Sequence, residues 1–152
     1  MLQFAHGSEV CACGVSLDEL RKKLTDKISS ADFLSIIKKL EAAEKLGYRL
    51  YGFASLWFSE STQDQAAQAL NARVEDFLAG MNNRTLFFSL WWKALPDKEA
   101  DRLLKDAGDY TYWLQVIRQY KPHTLSEAEE KIVNTKNVTG MGALNNLYTS
   151  MT

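Results

Sequence analysis

Residues 36–57 read IIKKLEAAEKLGYRLYGFASLW, and this stretch decides the fold. Its apolar and small positions alternate steps of four and three residues over three heptads, a spacing that places them on one face of a helix. These positions are Ile36, Leu40, Ala43, Gly47, Leu50, Ala54 and Trp57. We therefore predict a long helix that begins near Ser30 and packs along a neighbouring helix. The small residues in the seam allow that neighbour to approach closely.

A second long segment follows, for which Ser61 is the predicted N-cap. Its apolar positions keep the same register, apart from Arg84. They are Leu70, Val74, Phe77, Met81, Phe88, Trp91 and Leu95. Gly80, Asn82 and Asn83 fit either a kink or a continuous helix, and the period does not choose between them. The two segments together predict an antiparallel helical hairpin.

Shorter helices are predicted before and after the hairpin. Ser16 and Glu19 form a candidate capping box for a short amphipathic helix. Its apolar face comprises Leu17, Leu20, Leu24 and Ile28. Pro96 and Asp97 start the next helical region, and a further helix covers residues 109–120 with Tyr110, Trp113, Leu114, Ile117 and Tyr120 at helical spacing.

The C-terminal part contains two more predicted helical segments. Pro122 stops the preceding helix, and Thr124 with Glu127 matches a capping box for a charged helix that runs to about Asn134. After Thr139 and Gly140, a final segment carries one apolar stripe. The stripe comprises Met141, Leu144, Leu147, Tyr148 and Met151. No segment shows a strand pattern, so we predict an all-α helical bundle built on a long antiparallel hairpin with shorter C-terminal helices.

Charge and hydropathy argue against two classes of partner, nucleic acids and membranes. The 152 residues contain 18 basic and 19 acidic side chains, a net charge of −1, which gives no field favouring nucleic acid or an anionic membrane. The first residues lack a basic region followed by an apolar run, and no later stretch is apolar enough to span a bilayer. We therefore expect a cytoplasmic protein without nucleic-acid or membrane partners.

The chain offers little material for catalysis. Zinc hydrolysis commonly uses His-Glu-x-x-His on one helix, but the two histidines, His6 and His123, lie in different segments and neither precedes a glutamate. His6, Cys11 and Cys13 could nominally supply three ligands, although their spacing matches no established zinc pattern. We predict no catalytic, cofactor-binding or metal-binding residue here, and we interpret the cysteines as small apolar side chains.

The four tryptophans are Trp57, Trp91, Trp92 and Trp113. Aromatic residues at helical spacing are more often core than ligand cage, so we interpret these side chains as core. Trp91 and Trp92 are adjacent and point about 100° apart on a helix, so one of them is a candidate for a contact surface.

Three motifs resemble a known family. They are YGFASL at residues 51–56, QALNARVE at residues 68–75 and KPHTLSE at residues 121–127. Together with ASLWFSESTQD at residues 54–64, they are similar to the N-terminal helical domain of the oligoendopeptidase F family of zinc peptidases. The resemblance extends from about Phe33 to the end of the chain. It implies a variable leader with a short helix at residues 1–29 and the family's helical domain at residues 30–152.

The resemblance also implies a function. In this family the domain forms part of the wall of a channel that admits short peptides, while a separate domain carries the catalytic zinc. The chain would then be a noncatalytic domain, or a truncated relative, whose partner is that zinc domain on the same or another chain. The alternative is a free-standing interaction module without peptidase activity, which self-associates through the apolar stripe at residues 141–151.

Overall fold

The protein is described by a computed structural model that covers residues 17–151. Its α-helices are α1 Leu17–Lys23, α2 Ser30–Glu60, α3 Gln65–Ala94, α4 Asp97–Lys105, α5 Thr111–Gln119, α6 Glu127–Asn137 and α7 Ala143–Met151. Short 3-10 turns occupy Gly108–Tyr110 and Lys121–His123, and a π-helical turn occupies Val138–Gly142. No strand occurs within residues 17–151. The all-α prediction is confirmed.

The chain forms two compact units, and the two long helices run through both of them. The first unit combines the described residues up to Ala43 with Phe87–Thr124, and the second combines Glu44–Leu86 with the described residues from Leu125 onward. Each unit therefore contains one half of α2 and one half of α3. Within each unit these halves pack against each other, which confirms the predicted hairpin.

The core of the first unit is an aromatic cluster between α2 and α3. Phe33 stacks on Trp92 with ring centroids 5.2 Å apart, and Phe88 stacks on Trp113 at 5.9 Å. Trp92 is completely buried, and its indole Nε1 donates a hydrogen bond to the Leu114 carbonyl at 2.9 Å. Leucines from α1, α4 and α5 complete the core. The hydrophobic pattern of the sequence predicts the members of this core well.

Close helix contact in the second unit depends on Gly47. A Cβ atom at this position would lie 2.9 Å from Met81 Cε and 3.0 Å from Leu78 Cδ2, both of them side-chain ends on α3. The glycine therefore allows α3 to approach the backbone of α2, as the small residues of the seam predict.

The structure decides whether α3 is interrupted in its middle and which residue caps its N-terminus. α3 is continuous through Gly80, Asn82 and Asn83, so of the two predicted possibilities the unbroken helix is correct. Its N-cap is Asp64, whose Oδ1 accepts a hydrogen bond from the Ala66 amide at 2.8 Å. The prediction of Ser61 was wrong, because Ser61 lies one turn earlier and its carbonyl accepts from the Asp64 amide.

The capping box of α6 was also misplaced by the sequence analysis. The box is formed by Ser126 and Glu129: the Ser126 amide donates to Glu129 Oε2 at 2.9 Å, and Ser126 Oγ accepts from the Glu129 amide. Hydrogen bonds from the Ser126 side chain and backbone lower the pKa of the Glu129 carboxyl. Thr124 instead donates to the Tyr120 carbonyl at 3.2 Å. The Thr124 side chain is therefore hydrogen-bonded to the 3-10 turn around Pro122, and α6 begins two residues later than predicted.

The predicted apolar seams are only partly buried. Phe77 is 39% exposed although it falls in the register predicted for α3, and Tyr120 is exposed beyond the end of α5. The predicted N-cap Ser16 lies outside the described residues. α1 ends at Lys23, so Ile28 reaches the core from the connecting turn and not from the helix. In the part of the chain that the structure describes, no helix combines the length and the hydropathy needed to cross a bilayer.

Candidate functional site

The predicted C-terminal stripe lies on the surface of the second unit. Its five side chains are between 57% and 79% exposed. They are Met141, Leu144, Leu147, Tyr148 and Met151. No charged residue occurs in residues 138–151, and α6 adds the exposed Ile132 and Val133. Exposed apolar surface of this kind is typical of an interaction site.

A small polar network joins α7, which carries most of this stripe, to α3. Asn146 Nδ2 donates to both carboxylate oxygens of Glu75, at 3.1 and 3.2 Å. Asn71 Nδ2 donates to Glu75 Oε1 at 3.0 Å. Glu75 therefore accepts from one asparagine on each helix, and this fixes the orientation of both side-chain amides.

A cleft of about 260 Å³ adjoins this network. It is lined by Phe58, Gln68, Asn71, Ala72, Asn146, Leu147 and Ser150. Asn71 is only 4% exposed, and no group in the described residues donates to its Oδ1. Such an unpaired buried acceptor is uncommon in folded proteins, because its desolvation is not compensated.

The sequence analysis missed Asn71 as a functional candidate. A signal was present, because Asn71 stands in the series Ala67, Asn71, Val74 and Leu78, where the steps of four, three and four place it on the buried face of α3. A polar residue inside an apolar helical series indicates a buried hydrogen-bond network. Glu75, four residues later, is its partner on the same helix.

Asn83 positions α6 in the same unit. Its Oδ1 accepts from Asn134 Nδ2 at 3.0 Å, and its Nδ2 donates to Thr135 Oγ1 at 3.4 Å. The polar residue that suggested a break in α3 therefore supports the packing of the C-terminal helices.

In the first unit, Arg118 joins the end of α3 to α4 and α5. Its guanidinium donates to the carbonyls of Trp92 at 2.7 Å and Leu95 at 3.1 Å, and it also contacts Asp97. It lies over the Trp92 ring, 5.6 Å from the ring centroid. Hydrogen bonds and charge from Lys121 and Arg118 lower the pKa of the Asp97 carboxyl. These contacts satisfy helix-end carbonyls and have a structural role.

The other residues considered for function do not converge on a reactive centre. His123 lies exposed in the 3-10 turn, where its amide donates to the Tyr120 carbonyl. His6, Cys11 and Cys13 lie outside the described residues. Within residues 17–151, no three side chains of histidine, cysteine, aspartate or glutamate lie close enough to hold a metal ion.

The tryptophans divide between core and surface. Trp92 is core, Trp57 and Trp91 are half-buried, and Trp113 is 41% exposed. The core interpretation therefore holds fully only for Trp92. Of the adjacent pair, Trp91 is the more exposed.

The comparisons with known proteins find one similarity, in the C-terminal part of the chain. Residues 91–152 match the family model described as Oligopeptidase F, which represents the N-terminal domain of that family. No curated protein and no solved structure matches the chain. The matched segment contains α4 to α7, including the Arg118 junction, the Ser126 capping box and the exposed stripe. Over this segment the resemblance seen in the sequence is confirmed, because residues 91–152 are similar to the N-terminal domain of the oligopeptidase F family.

Proposed function

We propose that this chain is a noncatalytic domain, or a truncated relative, of an oligopeptidase F-like zinc metalloendopeptidase, and that it forms part of the wall of a channel that admits short peptides. The observation that carries the proposal is the family match over residues 91–152. Hydrolysis is assigned to a zinc-bearing catalytic domain on the same or a partner chain. The described residues do not provide a set of ligands that fits zinc.

The apolar stripe on α7 is the proposed contact with that catalytic domain. An uncharged surface with five large exposed apolar side chains gains free energy when another apolar surface excludes water from it. The stripe also lies inside the segment that matches the family. We retain the cytoplasmic location as part of the proposal, and fractionation of the source cells tests it.

The proposal is tested first with the purified 152-residue chain. Supplied with zinc and an internally quenched oligopeptide, the chain should not cleave the peptide above the rate of a buffer control. Robust cleavage that a chelator abolishes would contradict a noncatalytic role.

A free-standing module that self-associates is the second candidate, and the exposure of the stripe favours it. Light scattering over a concentration series measures the association. Leu144→Glu places a charge in the stripe and should keep the chain monomeric, whereas Asn145→Glu adds the same charge at the neighbouring exposed position. A wild-type chain that stays monomeric at high concentration would contradict this second candidate.

A further inference from the structure

A second exposed apolar surface lies on the C-terminal half of α2, in the second unit. Leu46, Phe53 and Leu56 are between 54% and 74% exposed. The half-buried Leu50 and Trp57 lie beside them, and the rings of Phe53 and Trp57 are 6.0 Å apart. We call these five side chains the α2 patch. Single exposed apolar side chains are ordinary, but a contiguous group of this size indicates a contact surface.

The α2 patch does not face α3. Gly47 and Ala54 lie on the buried side of α2, and α3 approaches the helix at Gly47. Because each residue of an α-helix is rotated by about 100° from the one before, the line through Leu46, Phe53 and Leu56 lies more than about 100° around the helix from that buried side. The helix that packs on α2 in this unit therefore leaves the patch open.

The patch has the spacing of a seam between two helices. Leu46, Arg49, Phe53 and Leu56 are separated by three, four and three residues, which is the alternation found where two long helices pack side by side. Arg49 is the charged member of this line, and it is exposed. An occupant of the patch must therefore be a helix that offers apolar side chains and a group that accepts a guanidinium.

A second copy of α2 offers both. In a symmetric dimer, a residue that faces another is faced by it in return, so each contact occurs twice. If two copies of α2 run antiparallel about a twofold axis level with Tyr51, Leu46 faces Leu56 of the second copy, and Arg49 faces Phe53 of the second copy. A guanidinium over an aromatic ring is a favourable pair. Each member of the line then meets a matching side chain.

Charge favours the antiparallel orientation. A parallel pair would place Arg49 against Arg49 of the second copy, and it would do the same for the exposed Lys45 and Glu60. Like charges that face each other repel. In the antiparallel pair, Lys45 and Glu60 of the second copy are offset by only about 4.5 Å along the helix axis, because each residue rises about 1.5 Å. Opposite charges therefore meet at both ends of the seam.

We propose that a second copy of this chain covers the α2 patch, as an antiparallel pair of α2 helices in which Arg49 of each copy lies over Phe53 of the other. Five side chains with on the order of 100 Å² each to bury give roughly 1,000 Å² for the two copies, the low end of specific interfaces. We therefore expect a reversible dimer. The inference does not rest on the proposed function, and it leaves the α7 stripe to another partner.

Sedimentation velocity of the full-length chain from micromolar to millimolar concentration tests the proposal. The wild type should pass from monomer to dimer. Phe53→Arg places two guanidinium groups against each other and should weaken the dimer at least about tenfold. The control Tyr48→Arg adds the same charge at an exposed position away from the patch and should associate like the wild type. A wild type that stays monomeric, or equal association of both variants, would overturn the proposal in favour of another occupant of the patch.

The same assay separates this surface from the α7 stripe. Leu144→Glu should leave the dimer through the α2 patch intact, because Leu144 lies on α7. An association that Leu144→Glu abolishes and Phe53→Arg retains would assign the dimer to α7 and overturn the proposal.

Disulfide cross-linking tests the antiparallel register. In a background of Cys11→Ser and Cys13→Ser, chains with Leu46→Cys and chains with Leu56→Cys are oxidised separately and as a mixture. The mixture should form a covalent dimer, because the two positions face each other. Either chain alone should not, because its cysteine and that of a second copy lie about 15 Å apart along the helix axis, beyond the reach of a disulfide. No cross-link in the mixture, or equal cross-linking of either chain alone, would overturn the proposed pairing.

Discussion

Arg118 carries more polar contacts than a surface arginine usually does. Its fork reaches two carbonyls at the end of α3, the Asp97 carboxylate and the face of Trp92. Lysine keeps the charge but cannot form the planar fork or stack in the same way. We expect Arg118→Lys to lower the free energy of unfolding by about 2 kcal/mol.

Urea unfolding followed by circular dichroism measures this loss. The matched control is Arg73→Lys at an exposed position of α3, which should change the stability by less than about 0.5 kcal/mol. Equal stability losses in the two variants would show that the Arg118 fork has no special role.

Asp97 makes the free energy of unfolding depend on pH. Its pKa is lowered in the folded chain by hydrogen bonds from Lys121 and Arg118, so the unfolded state binds a proton more readily. The resulting stability is fully present above the unfolded pKa and is lost as the pH falls through the folded pKa. Because the Asp97 side chain is 79% exposed, salt should weaken the effect.

Asp97→Asn should therefore unfold with a shallower dependence on pH in the acid range. Urea midpoints measured from neutral pH down to the acid limb, for wild type and variant, check this expectation. Identical acid limbs at low salt would mean that Asp97 does not couple to folding.

The N-terminus of α6 tests which of two capping boxes stabilises the helix. Thr124 with Glu127 and Ser126 with Glu129 both match the same capping pattern, and only the second pair forms it. Ser126→Ala should destabilise the helix start by about 1 kcal/mol, whereas Thr124→Ala should cost less because it removes a single exposed hydrogen bond.

Hydrogen exchange at the Glu129 amide, which donates to Ser126 Oγ, reads this effect locally. Its protection should fall in Ser126→Ala and stay close to wild type in Thr124→Ala. A larger loss of protection in Thr124→Ala than in Ser126→Ala would show that Thr124, and not Ser126, caps the helix.

Two glycines of α2 test how the long helices pack. Nothing lies within 4 Å of a Cβ atom built on Gly52, so Gly52→Ala should raise the free energy of unfolding by about 1 kcal/mol through helix propensity alone. At Gly47 the same gain is offset by contacts with Met81 and Leu78, and Gly47→Leu should lose about 1–3 kcal/mol through overpacking. Thermal unfolding of the two variants, Gly52→Ala and Gly47→Leu, gives the comparison. A stable Gly47→Leu would contradict close contact of α2 and α3.

Helical periodicity predicts the hairpin and the first core because burial follows spacing directly, as at Ile36, Leu40 and Phe88. It does not predict where the helices start. Two residues that can both cap a helix often lie within one turn of each other, as Ser61 and Asp64 do, and the preceding turn decides which of them is the N-cap. The Asn71 network escaped prediction for another reason. Asn146, which donates to Glu75 in this network, lies 71 residues from Glu75 in sequence, and spacing along one helix does not show which distant residue meets it.

In the whole molecule, the family match and an exposed apolar surface fall in the same segment, the last two fifths of the chain. A noncatalytic channel wall needs a partner that carries the zinc, whereas an independent module does not. The two proposals therefore differ in whether a zinc-bearing catalytic domain is joined to or bound by the chain in its native cells.

The most direct measurement is an immunoprecipitation of the native protein from its source cells, using an antibody raised against this chain. The precipitate is assayed with a quenched oligopeptide, with and without a zinc chelator, and its size is determined on a denaturing gel. We expect zinc-dependent cleavage in the precipitate, carried out either by one polypeptide much larger than 17.2 kDa or by a second polypeptide beside the chain. A single band near 17.2 kDa without peptidase activity would contradict the proposed role in a zinc peptidase.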